Sequence, residues 1–130
     1  MIMRRLTLFL FALLLFGCAS APQENENYNK IYMESCLKSG MMAVGLDDVL
    51  REEEGLPAVD GMYISNVEPG SAAAAAHIKA RDILLQVGEV QVYDRETFAK
   101  AFLSEEGNKE TKVKVYRGGG ILTLTLPLTL

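Results

Sequence analysis

Hydrophobic positions fall into three regimes along the chain. Residues 6–17 form a run of 12 that is apolar apart from Thr7, with Arg4 and Arg5 in front of it. A polar tract follows, Pro22-Gln23-Glu24-Asn25-Glu26-Asn27-Tyr28-Asn29-Lys30, with neither a helical nor a strand period. From residue 41 the pattern becomes dense. Four runs of strand length, rich in aliphatic and β-branched residues, cover 62–67, 83–87, 111–116 and 121–126. Between them lie two helix candidates. One spans 71–77 with Ser71 as cap, and the other runs from Arg95 to about Ser104, with Asp94 as N-cap and Phe98, Ala101 and Phe102 at helical spacing. The stretch 47–54 is ambiguous: Asp47 can cap a short helix, yet Leu46, Asp48 and Leu50 alternate as in a strand. Gly88-Glu89 and Gly118-Gly119-Gly120 read as turns, the second as a hairpin between the last two strands. Leu122, Leu124, Leu126, Leu128 and Leu130 give that last strand one apolar face, and Pro127 stops its pairing near Leu126. The pattern predicts an α+β, mostly β domain with two or three short helices.

The opening run is too short for a spanning helix, which needs about 18 residues or more, and it reads as the apolar core of an export signal. Leu15-Phe16-Gly17-Cys18 resembles a bacterial lipobox, with Phe16 bulky where a small residue is usual. An ordinary secretory signal cut after Ala19-Ser20-Ala21 is the alternative. The division expected is therefore 1–17 signal peptide, 18–37 lipidated Cys18 and flexible tether, and 38–130 folded domain. Acyl chains on Cys18 contribute about 0.8 kcal/mol per buried methylene, so two or more give a stable anchor. As a coil of about 19 residues the tether would hold the domain on the order of 25 Å from the membrane, and the apolar Ile31, Tyr32 and Met33 near its end are candidates to dock on the domain, so its boundary is soft. In enteric-type bacteria, Ala19 after the cysteine would direct the protein to the outer membrane, with the domain in the periplasm. Cys36, with Cys18 acylated, has no intrachain partner and is either buried and inert or open to a second chain.

Composition narrows the chemistry. The chain of 130 residues carries a net charge of −4, and loss of Arg4 and Arg5 makes it more acidic, which disfavours nucleic-acid phosphates. One histidine, two cysteines and no tryptophan do not make a His-Cys zinc set, and His77 has no nucleophile motif beside it. No cofactor, metal or catalytic residue is expected. The acidic run at 47–54 reads as a solvated face or as a partner patch. His77 is most simply a residue at a helix C-terminus in the left-handed region.

The stretch Val67-Glu68-Pro69-Gly70-Ser71 with the alanines 72–76, followed by Ile78-Lys79-Ala80-Arg81-Asp82-Ile83-Leu84, resembles the bacterial, protease-associated type of PDZ domain. The resemblance covers about 40–126. It departs where His77 and Ala80-Arg81 replace the family's usual glycine and Pro-Gly. It implies a small, partly open β-barrel or sandwich that binds an extended peptide by strand addition and holds its terminal carboxylate at a loop before the pairing strand. Carried over residue by residue, the loop is Ala43-Val44-Gly45-Leu46, the pairing strand runs from Leu46 towards Leu50 past Asp48, and Phe98, Ala101 and Phe102 form the opposite wall. Asp47 and Asp48 would repel a carboxylate there and favour basic or internal segments.

The function expected from the resemblance is a membrane-tethered, non-enzymatic adaptor in the cell envelope, binding C-termini or extended segments of envelope proteins, with a protease or secretion complex as partner. The alternative is an assembly subunit of an envelope complex with a closed groove. The tail Leu128-Thr129-Leu130 is either packed on its own domain or a self-ligand for a neighbouring copy.

Overall fold

The computed structural model describes residues 21–129. The expected signal peptide, Cys18 and Leu130 lie outside the described residues. The order is α1 (Ala21–Ser39), β1 (Met41–Gly45), α2 (Asp48–Glu54), β2 (Met62–Val67), α3 (Ala72–Ala75), β3 (Ile83–Val87), β4 (Val90–Gln91), α4 (Arg95–Ser104), β5 (Glu110–Arg117) and β6 (Gly120–Pro127). All strand pairs are antiparallel, in the order β1-β2-β3-β5-β6, with β4 a short branch on β3. The sheet is not closed. No helix among the described residues is long and apolar enough to cross a membrane.

Local chemistry explains most of these elements. Ser71 caps α3 by accepting from the Ala74 N–H at 3.2 Å, and Asp94 with Thr97 forms a reciprocal capping box on α4. Gly118 and Gly119, at φ of 58° and 85°, make the two-residue turn that pairs Arg117 with Gly120. Along β5 the side chains alternate strictly: Thr111, Val113 and Val115 are buried, whereas Lys112 and Lys114 face solvent. The small residues Ala72, Ala73 and Ala76 let α3 lie close on the core beside Ile64, Leu84 and Leu126.

Two departures from the sequence reading matter for the site. The tract expected to be a flexible tether is helical over Ala21–Ser39 and docked, with Tyr32, Ser35, Cys36 and Ser39 buried. These positions recur at intervals of three and four, which places them on one face. Nothing in the polar composition marks that face, because it gains meaning only against the surface that receives it. The second departure is the end of β1. A strand from Leu46 towards Leu50 does not form; Asp47 instead accepts the Leu50 N–H at 2.7 Å, and its capping turns the chain into α2.

Candidate functional site

β1 has a single strand neighbour, β2, so its other side is open to something that is not a strand of this sheet. The element on that side is α1. It packs chiefly on α4 and also touches β1 and α3. It thus lies in the channel whose walls are β1 and α4.

Tyr32 is the deepest side chain of α1, at 2% exposure. Its hydroxyl donates to the carbonyl of Ala43 on β1 and lies 3.9 Å from the sulfur of Met42. Its ring meets Phe98 of α4 nearly edge-on, with centroids 5.4 Å apart and planes at 71°. The guanidinium of Arg95 stands 5.1 Å from the centre of the same ring. Burial pushes the Tyr32 phenol up to about 12, helped by the neighbouring Cys36 and opposed by the Arg95 charge. One turn on, Cys36 is a buried free thiol. Burial raises its pKa as well, against the opposing influence of the nearby Ala43 backbone, the Tyr32 hydroxyl and the charge of Arg95. The Tyr32 hydroxyl of α1 therefore serves the carbonyl of Ala43 where a pairing peptide would.

The start of β1 is similarly engaged. The Gly40 N–H donates to the Cys36 carbonyl at 2.9 Å, and the Met41 N–H reaches the Ser39 hydroxyl at 3.5 Å. Gly40 holds φ at +77°, and a Cβ on it would lie 2.1 Å from the Cβ of Ser71, so this reversal from α1 into β1 requires glycine.

The structure brings Ala43, Phe98 and Ala101 together as fully buried members of one core cluster, with Phe102 partly buried against it. The rings of Phe98 and Phe102 meet at a tilt of 41°, with centroids 4.7 Å apart. Val44 and Leu46 are half-buried, while Gly45 and Asp48 are exposed. Gly45 is the last residue of β1 and not part of a loop before it. The N–H groups at the start of the strand belong to Gly40 and Met41. Asp47 is occupied as the α2 cap, and Asp48 lies 3.8 Å from Arg51. Both carboxylates stand beyond the far end of β1, at the opposite end of the strand from Gly40. Sequence reasoning missed Arg95 and gave Tyr32 and Cys36 no place in the groove; Tyr32 docks and Cys36 is buried, whereas Met33 is exposed. The signal available for Tyr32 was Tyr28-x-x-x-Tyr32-x-x-x-Cys36, an i, i+4 row inside a polar tract.

Other expectations settle locally. His77 ends α3 at φ 66° and is exposed. Asp82 accepts the Lys79 N–H at 2.9 Å, tying the loop before β3, and also binds Arg117. Leu128 packs on its own domain and its N–H donates to the Lys109 carbonyl at 2.8 Å. An open crevice separates α1 from the end of α4 and is lined by Ser35, Ser39, Phe102, Leu103 and Leu128.

An antiparallel sheet whose terminal strand faces a helix across a channel is the architecture of strand-accepting domains. The family model of the PDZ domain matches residues 34–128, and the chain belongs to that family. The fold is similar to the HtrA3 PDZ domain bound to a phage-derived ligand, at a TM-score of 0.57 and 22% identity over 68% of this chain and 80% of that one. It is also similar to the HtrA-type protease AlgW with decapeptide, at 0.61 and 22% over 68% of this chain but only 27% of the protease. A variant of AlgW with decapeptide matches at 0.58 and 20%, over 75% of this chain and 32% of that chain. No curated protein matches the chain at a significant level.

Proposed function

We propose that the protein is a non-enzymatic peptide-binding module of the bacterial cell envelope, held at a membrane by lipid on Cys18. It takes up C-terminal or extended segments of envelope proteins by adding them to the open side of β1 opposite α4. The observation that carries this reading is the channel itself: β1 has one strand partner, and its carbonyl at Ala43 is served by a side chain, that of Tyr32. A protease or secretion machine is the expected partner, and the HtrA-type neighbours support the first of these. The test is a display library of C-terminal and internal peptides against the full chain, with metabolic fatty-acid labelling of wild type and Cys18→Ser. Selective peptide capture and label lost in Cys18→Ser support the reading. Absence of capture, or label retained by Cys18→Ser, counts against the corresponding half of it.

A second reading is favoured by the filled channel. An assembly subunit whose groove is permanently occupied by α1 would capture no peptide and would co-purify with an envelope complex.

A further inference from the structure

We propose that α1 is a tethered surrogate for the ligand of this groove, and that the ligand is a segment seating a tyrosine side chain between α4 and β1. The inference rests on the peptide-binding reading above and specifies what that groove selects.

The seat of Tyr32 is built by elements other than α1. A phenol there finds an acceptor at the Ala43 carbonyl, an aromatic edge at Phe98 and a cation at Arg95. These three features recognise, respectively, a hydroxyl donor, a ring and the electron-rich face of that ring. Phenylalanine satisfies two of them and an aliphatic side chain none in full.

Away from its buried face of Tyr28, Ile31, Tyr32, Ser35, Cys36 and Ser39, α1 is lightly committed. Met33 and Leu37 are exposed, the latter at 79%, and Glu26, Asn27, Asn29, Lys30, Glu34 and Lys38 face solvent. Its intrinsic helix propensity is modest, with three asparagines and Pro22 in 19 residues. A helix of that composition owes its docking to its buried face. Lifting it uncovers the carbonyl of Ala43, which a ligand strand can satisfy in place of the Tyr32 hydroxyl. Because α1 runs into β1 with Gly40 alone between them, it competes at a high effective concentration, and an added ligand binds in proportion to the fraction of chains in which α1 is lifted.

Two readouts on the full chain carrying Cys18→Ser test this. The first is alkylation of Cys36, which requires α1 to lift. The second is binding of a fluorescent synthetic peptide of residues 26–39 with its own cysteine replaced by serine. Tyr32→Ala in the chain should speed Cys36 alkylation about tenfold and tighten peptide binding by a similar factor, while amides of β3 and β5 keep their protection from hydrogen exchange. The same peptide carrying Tyr32→Ala should lose at least tenfold in affinity. Should Tyr32→Ala in the chain fail to fold, Tyr32→Phe, which keeps the ring and loses the hydroxyl, should move both readouts in the same direction by a smaller factor. Cys36 alkylation that proceeds only at the rate of global unfolding in every variant overturns the proposal. Display peptides bound equally by both chains, with no preference for tyrosine, overturn it while leaving peptide binding intact. Faster alkylation with no peptide bound by either chain overturns both.

Discussion

The hydroxyl of Tyr32 donates to the main-chain carbonyl of Ala43, so a helix that precedes the sheet in sequence occupies the open side of its first strand. The contact joins a tract with no sequence period to the residue around which the binding channel is built. It also makes the state of α1 measurable.

Alkaline pH should undock α1. Tyr32 is held up to about 12 from an ordinary 10.0, mainly by burial, so the folded state favours the neutral phenol. The stability from this group is fully present below pH 10 and is lost as pH rises through about 12. A phenolate has no proton to donate to Ala43. Circular dichroism and Cys36 alkylation followed from pH 9 to 12 should show loss of α1 in wild type at lower pH than in Tyr32→Phe; coincident curves would remove Tyr32 from that role.

The Asp82–Arg117 pair should behave as a buried, two-point clamp. Asp82 is 2% exposed and accepts from the Nε and a terminal nitrogen of Arg117 at 2.8 and 2.6 Å, while the same guanidinium reaches the His77 carbonyl at 2.8 Å. The hydrogen bond to Asp82 raises the Arg117 pKa, so the pair remains charged on the arginine side. Asp82→Ala should cost about 3–5 kcal/mol, and Arg117→Met a similar amount by stranding the carboxylate. The double variant should cost clearly less than the two singles added, as read by urea unfolding.

Gly40→Ala should destabilise by roughly 2–4 kcal/mol, combining a left-handed backbone with a collision at Ser71. Ser71→Gly in the same chain should recover the part due to the collision and leave the backbone part. Thermal unfolding of the two variants separates them; no recovery would place the whole cost in the backbone.

Leu128→Ala should lower stability by about 1–2 kcal/mol without altering sedimentation, because Leu128 is half-buried on its own domain beside the core. A change in sedimentation with unchanged stability would instead assign the tail to a neighbouring copy.

Much of the sheet was legible because its signals are local. Residues 62–67 and 83–87 are apolar runs closed by turn formers, and the observed strands have those limits. Ser71 and Asp94 announce their helices because a capping side chain acts within three residues of itself. The helix-or-strand ambiguity at 47–54 was real in the pattern, and one short hydrogen bond from Leu50 to Asp47 decides it.

The candidate site was legible only on one wall. Phe98, Ala101 and Phe102 follow a helical period, so their shared face can be read from α4 alone. Ala43 was named as a site residue, but the groove was placed beyond Gly45, since nothing local to 43–50 says where β1 ends. The occupant of the groove was legible only as the i, i+4 row of Tyr28, Tyr32 and Cys36, with nothing local to say where that row docks. Tyr32, Ser35, Cys36 and Ser39 make a face only when Phe98 and Arg95, some sixty residues later, and Ala43 are brought beside them. Turns, caps and strand periods come from free energies each residue carries with its neighbours in sequence. The docking of α1 comes from burial and hydrogen bonding between segments that meet only in the folded chain, and tertiary structure alone decides it.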